Sequence, residues 1–516
     1  MLFNSYSFIL VFLPVVWILY VCAQRISWRL ASPVLAIASL FFYSWWDLRF
    51  LPLLLGSIGV NFLIGRWIEG AIGNEKALTA RSWMIFGITL NLAALGFFKY
   101  VNFFLDNVAA LTGESLSTIQ VVLPIGISFF TFQQIAYLID VRHGNSKRYK
   151  LADYSVFVSF FPQLIAGPIV HHREMMPQFE RRIGITANDM ALGISIFVVG
   201  LFKKVFIADN LAQFATPIFA AADGGSDITM MEAWGGTLAY TFQIYFDFSG
   251  YSDMAIGLGR MFGIKLPINF YSPYRVSSIV EFWRCWHITL SRFLRDYLYI
   301  SLGGNRHGAL RRYGNLFATM LLGGLWHGAG WGFVIWGGLH GIYLCVNHAL
   351  LAAAKHSNAI AAITRQRWIG WLATFLAVVF AWVFFRATTL DGALAIASAM
   401  LGADGLTLPG NYAVHLGTLP EHLGFVYSQK SFVSLGDWAF TGIPFVLAAA
   451  AIALWVPNTG RIFLSNDPFY STEVIPVSSA VLSWRPGLPQ AAVISLLLAC
   501  SMLFASTISE FLYFQF

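Results

Sequence analysis

Composition places this chain in a membrane. Only 11% of its 516 residues are Asp, Glu, Lys or Arg, whereas soluble domains carry about 25%. Apolar residues reach 58% and the mean hydropathy is +0.67. These values exclude a disordered chain, a nucleic-acid-binding protein and a disulfide-stapled secreted module. They predict a polytopic membrane protein. The excess of Lys and Arg that gives the net charge of +7 is then expected in loops that face anionic lipid.

Uncharged stretches predict the membrane spans, because a spanning helix needs about 20 mostly apolar residues. The first stretch ends before Arg25 and lacks the features of a removable signal peptide. The predicted spans are 5–24, 31–46, 50–65, 82–105, 119–139, 189–207, 232–259, two within 313–354, 368–385, 438–460 and 490–512. Two shorter apolar pieces, 154–170 and 279–300, are interpreted as re-entrant or interfacial. The predicted fold class is all-α, with about 11–13 helical spans.

Basic residues predict the orientation of these spans. Lys and Arg follow the first, third and fifth spans, whereas segments 106–118 and 209–231 hold acids and no bases. This alternation predicts cytoplasmic basic loops and an outer N-terminus. The long loop 387–437, with Lys430 as its single base, and the tail after Arg485 are then outside. We expect a single multi-pass membrane domain over residues 1–516.

The first polar cluster is Trp326-His327-Gly328, inside a window from Tyr313 to Ala354 that carries no formal charge. The eight glycines from Gly323 to Gly341 allow close helix packing or a broken helix around a cavity. Ionisable groups at membrane depth are costly and usually functional, so His327 is a candidate general base. The alternative is a structural His that is hydrogen-bonded between helices. For His340 and His348 we favour packing or interfacial roles.

The second cluster runs from Glu281 to Arg306 and contains His287. At 100° per residue, Arg284, His287, Ser291 and Arg295 fall on one helical face, flanked by Arg292 and Asp296. This face could hold a phosphate-bearing cofactor beside a second catalytic His. The candidate cofactor-binding residues are Arg284, Arg292, Arg295 and Asn305. The alternative is a basic amphipathic helix at the cytoplasmic interface, which is favoured for the arginines.

The third cluster is Asp247, Tyr251 and Asp253 in an otherwise apolar helix. Two acids at membrane depth need partners, and the expected partners are Arg or His residues of the second cluster. Proton handling and fixing of a catalytic His are the functional interpretations. A buried structural network, which would also include Trp326, is slightly preferred.

Other catalytic motifs are missing from the sequence. It contains no G-x-S-x-G elbow, Walker A loop, H-E-x-x-H or H-x-x-x-x-D box. The four cysteines form no C-x-x-C pair and are interpreted as packing residues. His171-His172 is judged too isolated for a metal site, since zinc needs three or four ligands. We therefore predict no bound metal.

Six stretches carry a resemblance to a known family. They are GISFFTFQQIAYLIDVRHG (126–144), FFPQLIAGPIV (160–170), GLFKKVFIADNLA (200–212), FQIYFDFSGYSDMAIGLG (242–259), EFWRCWHITLSRFLRDYLYISLGGNR (281–306) and LLGGLWHGAGWGFVIWGGLHG (321–341). The chain resembles the membrane-bound O-acyltransferases, in particular their bacterial branch that contains the alginate O-acetyltransferase membrane protein. The motif-rich core covers about 120–345. One departure is His171-His172 after AGPIV, where an Arg is expected and the nearest is Arg173.

The resemblance implies a many-helix fold around a central tunnel in a bacterial inner membrane. It also implies that the acyl donor enters from the cytoplasm and that the acceptor approaches from the outer face. The family's principal catalytic His maps onto His327, and its second polar active-site position maps onto His287. The implied donor is acetyl-CoA, with no permanently bound cofactor. The implied acceptor is an exported polysaccharide, reached through a periplasmic partner protein, and alginate is the first choice.

Alternatives to this function remain open at the level of sequence. They are acylation of cellulose or peptidoglycan, D-alanylation of teichoic acid, and passage of acetyl groups by a non-catalytic transporter. No motif places a Ser as covalent nucleophile, so direct transfer is the simpler hypothesis. We expect no nucleic-acid partner and a lipid bilayer as the surrounding medium.

Overall fold

The computed structural model is built almost entirely of helices. It describes residues 1–114, 117–145, 147–180, 182, 184–403, 405–410, 413, 417–422, 424–428, 441–465, 467–470, 484–504 and 512. Predicted features that fall outside these residues are Lys430 and parts of the loop 387–437 and of the spans 438–460 and 490–512.

The α-helices are named in chain order. They are α1 (Leu13–Ile26), α2 (Ala31–Ser44), α3 (Leu51–Gly73), α4 (Ala77–Leu95), α5 (Val101–Thr112), α6 (Ile127–Arg142), α7 (Leu151–Ser159), α8 (His172–Met175), α9 (Ala187–Phe202), α10 (Asp209–Asp223), α11 (Met230–Met261), α12 (Ile279–Cys285), α13 (Ile288–Phe293), α14 (Gly308–His327), α15 (Trp331–Ala353), α16 (Asn358–Arg365), α17 (Arg367–Arg386), α18 (Leu390–Met400), α19 (Leu419–His422), α20 (Ile443–Trp455), α21 (Thr459–Phe463) and α22 (Leu488–Phe504).

Short π-helical and 3₁₀-helical segments and two strands complete the secondary structure. The π-helical segments are Phe8–Phe12, Gly96–Tyr100, Lys203–Ala208 and Leu294–Tyr299, and the 3₁₀ segments are Trp28–Leu30, Leu48–Phe50, Met176–Glu180, Pro273–Arg275 and Pro468–Tyr470. Two short strands, β1 (Leu406–Pro409) and β2 (Phe425–Ser428), pair in parallel with Leu406 opposite Phe425. They lie in the predicted outer loop.

Six helices of the described chain are long and apolar enough to cross a membrane. They are Phe8–Ile26, Leu48–Gly73, Ala77–Thr112, Ala187–Asp223, Trp331–Ala353 and Arg367–Arg386. Four shorter apolar helices accompany them: Trp28–Ser44, Leu390–Met400, Ile443–Trp455 and Leu488–Phe504. The prediction of an all-α polytopic membrane protein is confirmed. The count of 11–13 spans and the central tunnel stay predictions.

The predicted span 119–139 differs from the structure at its start. Helix α6 begins only at Ile127, because Pro124 and Gly126 precede it. Gly126 has φ 73°, and a Cβ there would lie 2.7 Å from the carbonyl oxygen of Leu164. Only glycine suits that conformation and that close backbone approach. The apolar residues before Pro124 are therefore outside the helix.

The chain divides into two compact units, and the first comprises Met1–Phe202, Gly250–Asn269 and Phe463–Gln515. Its core contains a cluster of aromatic rings, in which Phe42 lies 5.6 Å from Phe161 and Phe3 stacks on Tyr251 at 4.9 Å. Helix α9 packs closely on the end of α11, since a Cβ on Gly193 would lie 2.7 Å from the Gly257 carbonyl oxygen. Small residues allow this approach of helix backbones in a membrane.

The second unit comprises Lys203–Ser249 and Phe270–Ile462. Its core is a group of buried tryptophans: Trp382 lies 4.9 Å from Trp286 and 5.7 Å from Trp336, measured between ring centroids. The helix pair α14 and α15 and the segment around His287 belong to this unit. Most of the predicted site residues therefore lie in one unit, and the prediction of a single domain over 1–516 stays a prediction.

Candidate active site

His327 is the last residue of α14, where a glycine turn leads into α15. Gly328 has an extended backbone, which ends the helix. A Cβ at Gly328 would lie 2.0 Å from Cε2 of Phe333, so a larger residue there would require the Phe333 ring to move. The turn therefore fixes His327 at the tip of a helix hairpin.

Two further glycines bring the backbones of α14 and α15 into direct contact. A Cβ on Gly324 would lie 2.2 Å from the Phe333 carbonyl oxygen, and one on Gly337 would lie 2.4 Å from that of Met320. Helices in lipid associate through such small-residue contacts. The predicted close helix approach is confirmed at this pair.

Aromatic rings surround the imidazole of His327, a buried residue that is 5% exposed. Its ring centroid lies 4.9 Å from that of Trp326, 5.1 Å from Trp336 and 5.2 Å from Phe385. A neutral imidazole held in such an environment can accept a proton from a hydroxyl group. The geometry therefore suits the predicted general base.

His287 occupies a break between helices, which corrects the prediction of one continuous helical face. Helix α12 ends at Cys285, and α13 begins at Ile288. His287 has φ 43° and ψ 55°, a left-handed conformation that costs a non-glycine residue about 1 kcal/mol. Arg284 and Arg295 thus do not share a helix face with His287. Strained residues of this kind cluster at functional sites.

Trp326 lies beside both candidate histidines. Its ring centroid is 4.9 Å from that of His327 and 6.4 Å from that of His287. The imidazole of His287 is fully buried and meets the Phe248 ring edge-on at 4.7 Å. The structure therefore brings the two predicted catalytic histidines to one indole, inside a single unit.

The four candidate cofactor-binding residues are more exposed than the two histidines. Arg284, Arg295 and Asn305 are exposed, and Arg292 is half-buried. Arg295 Nε donates to Asp296 Oδ1 at 2.7 Å. Exposed cations can meet a phosphate that arrives from solvent, and they equally suit an interfacial helix.

Asp247 pairs with Lys204, which corrects the expectation of an Arg or His partner from the second cluster. Lys204 Nζ lies 2.7 Å from Asp247 Oδ1 and 2.8 Å from Asp209 Oδ1. The Lys204 and Asp247 side chains are only 2% and 3% exposed. The buried-network interpretation therefore fits Asp247.

The other two members of the third cluster belong to the first unit. Tyr251 is buried and stacks on Phe3 with ring centroids 4.9 Å apart. Asp253 is also buried. Asp247, in contrast, belongs to the second unit, although all three residues lie on α11.

Sequence reasoning missed three residues around this site. Trp336 contacts both His327 and, at 4.8 Å between ring centroids, His340. Trp283 Nε1 donates to His340 Nδ1 at 3.3 Å. The spacing of Trp336 and His340, four apart on α15, was an available signal for their contact. Lys204 was also available as a lysine within the predicted span 189–207.

His171 and His172 are not isolated in the fold, which corrects the basis on which a metal site was excluded. Both imidazoles reach the carboxylate of Asp140 at the end of α6. The three side chains together could hold a metal ion. Sequence alone could not show this, because Asp140 approaches through tertiary packing.

Comparison with known proteins adds a family and several relatives. Residues 77–390 match the profile of the membrane-bound O-acyltransferase family. Peptidoglycan O-acetyltransferase of Helicobacter pylori is 41% identical over 100% of this chain and 98% of its own length. Probable alginate O-acetylase AlgI of Pseudomonas aeruginosa is 40% identical over 100% of both chains.

A more distant relative matches only part of the chain. Teichoic acid D-alanyltransferase of Streptococcus thermophilus is 28% identical over 51% of this chain and 68% of its own length. The similarity to the two O-acetyl-transferring relatives thus runs along the whole chain.

Proposed function

The chain belongs to the membrane-bound O-acyltransferase family and is a membrane O-acyltransferase, and on that basis we propose that it moves acetyl groups from acetyl-CoA to hydroxyls of an exported polysaccharide. The observation that carries the proposal is the placement of His327 and His287, both buried, beside the single indole of Trp326. Such a site excludes the water that would hydrolyse a thioester.

In the proposed reaction, His327 acts as the general base. The acceptor hydroxyl oxygen attacks the thioester carbonyl carbon as its proton passes to His327. The C–S bond then breaks, the acetyl ester forms, and the CoA thiolate takes the proton from His327. His287 orients the donor or acceptor, or stabilises the charge that develops on the carbonyl oxygen. No covalent acyl-enzyme is needed.

We propose that the donor approaches from the cytoplasmic side and the acceptor from the outer face. The basic residues after the first, third and fifth predicted spans support this orientation. Arg284, Arg292, Arg295 and Asn305 are the proposed contacts for the phosphates of CoA, and the exposure of three of them leaves them accessible.

Alginate is the first proposed acceptor, and peptidoglycan is the second. Each is supported by the name of a relative that matches this chain from end to end. A periplasmic partner protein is proposed to assist this transfer to the polymer. The acceptor is decided by mass spectrometry of surface glycans from a deletion strain and from the same strain complemented with the gene. The polymer that alone loses acetyl ester in the deletion strain is the acceptor.

The catalytic proposal is tested with purified protein in detergent and radiolabelled acetyl-CoA. We expect His327→Ala to abolish acetyl transfer to the acceptor, whereas His356→Ala, which alters an exposed His, retains it. Gel filtration confirms that each variant is folded. Near wild-type transfer by folded His327→Ala contradicts the assignment, and acetyl flux across vesicles that survives this substitution would favour a transporter.

A further inference from the structure

Three ligand atoms of metal-binding type converge in the first unit, where α6 ends and α8 begins. Asp140 Oδ2 lies 2.8 Å from His171 Nε2 and 3.1 Å from His172 Nε2. One ligand atom from each of the three side chains lies within 4.8 Å of the other two. Imidazole nitrogen and carboxylate oxygen are the donors that zinc and related ions prefer. We propose that Asp140, His171 and His172 bind one divalent transition-metal ion, of which Zn²⁺ is the best match.

The two oxygen–nitrogen separations come close to those of a metal site. Tetrahedral Zn²⁺ with bonds of about 2.0–2.1 Å holds its ligand atoms about 3.3 Å apart. Both oxygen–nitrogen distances are shorter than this by only a few tenths of an ångström. The ion would thus replace two hydrogen bonds to one carboxylate oxygen by three coordinate bonds.

Burial of the three side chains favours a cation between them. The side chains of His172, Asp140 and His171 are 0%, 9% and 22% exposed. A buried carboxylate is costly unless a charge or hydrogen bonds compensate it, and a divalent ion supplies that charge. The partial exposure of His171 gives the ion access from solvent. A water molecule can take the fourth position.

Arg173 orients the carboxylate from the opposite oxygen. Its Nη2 lies 3.4 Å from Asp140 Oδ1, which leaves Oδ2 directed at the imidazoles. Outer contacts of this kind commonly orient metal ligands. The Arg173 side chain is 48% exposed, so solvent screens its repulsion of the ion. Ligation through His171 Nε2 puts the proton on Nδ1, and the long 3.4 Å contact from the Arg173 backbone N–H is then given up.

The metal site would cross-link two segments of the first unit. His171 and His172 follow directly on the segment 160–170, all of which is buried and which contains no α-helix. Asp140 belongs to a different helix, α6. A bound ion would therefore tie this buried segment and the start of α8 to the end of α6. The inference does not depend on the acetyl-transfer chemistry proposed above.

The test uses full-length protein purified in detergent, stripped with a chelator and titrated with Zn²⁺ and with Co²⁺. Calorimetry gives the Zn²⁺ stoichiometry and affinity, and visible absorption reports the coordination of Co²⁺. We expect about one ion per chain, with affinity reduced at least about tenfold in His171→Gln and Asp140→Asn. His143→Gln, an exposed His three residues after Asp140, is the matched control and should bind normally.

The outcomes separate clearly. A folded wild-type protein that takes up no stoichiometric ion overturns the proposal, and so does unchanged affinity in folded His171→Gln. If Asp140→Asn does not fold, the partly exposed His171 still decides the question. His327→Ala should bind the ion normally, so failure of the metal site and failure of the catalytic assignment are distinguishable.

Discussion

The ion pairs of Lys204 predict how substitutions of Lys204 and Asp247 rank in their effect on stability. Lys204 Nζ lies 2.7 Å from Asp247 Oδ1 and 2.8 Å from Asp209 Oδ1. At an effective dielectric constant of about 20, charges at such separations attract by about 6 kcal/mol per pair. Desolvation of the buried ions offsets much of this attraction, so removal of one partner costs about 3–5 kcal/mol net.

Lys204→Met should be the most damaging single change, because it leaves two carboxylates close together without their shared cation. Asp247→Asn should cost less, because Lys204 keeps Asp209. The double variant Lys204→Met/Asp247→Asn should be more stable than Lys204→Met alone, because the buried one of the two carboxylates, Asp247, becomes neutral. The second substitution therefore partly rescues the first.

The assay is the fraction of protein that remains monodisperse on gel filtration after heating in detergent, which gives an apparent unfolding midpoint. Lys147→Met is the control: Lys147 is 74% exposed and lies 3.7 Å from Glu180, so its loss should leave the midpoint unchanged. The reasoning fails if Lys204→Met is as stable as the wild type, or if adding Asp247→Asn destabilises it further.

Two further predictions concern stability. Burial raises the pKa of Asp467. Hydrogen bonds from Lys265 and from the backbone N–H of Phe469, together with the charge of Arg260, outweigh burial and leave that pKa lowered. A carboxylate with a lowered pKa stabilises the fold at pH values above the ordinary Asp pKa of about 3.9. Asp467→Asn should therefore lower the unfolding midpoint at pH 7, and this decrease should shrink as the pH falls below about 4. A decrease that does not depend on pH would refute this. Gly324→Ala should lower the midpoint, since its Cβ would lie 2.2 Å from a carbonyl oxygen. Gly314 has open space around it, so Gly314→Ala should raise the free energy of unfolding by up to about 1 kcal/mol and the midpoint with it. Equal effects of the two substitutions would contradict the close helix contact.

Charge placement made much of the fold predictable from sequence. The predicted span 368–385 lies within α17, which begins at Arg367 and ends at Arg386. Charged residues are costly in lipid, so they mark where a spanning helix ends. The same logic isolated His327 in a charge-free window, and the glycines of that window predicted the close packing of α14 on α15.

The break at His287 could not be predicted by the same means. Residues 279–300 contain no Gly or Pro, the residues that ordinarily signal the end of a helix. Periodicity alone therefore favoured a continuous helix through His287. A left-handed conformation at a histidine is imposed by its surroundings, here including the rings of Phe248 and Trp326, and local sequence carries little of that information.

Partners of buried charges were unpredictable for a related reason. Hydropathy revealed that Asp247 needed compensation, because an isolated ionised group is not tolerated at membrane depth. Which residue supplies it depends on how helices pack, and the nearest cation along the chain is not favoured over a distant one. Asp247 thus pairs with Lys204, and Asp140 meets His171 and His172. In both cases the requirement for a partner follows from sequence, whereas its identity follows only from the fold.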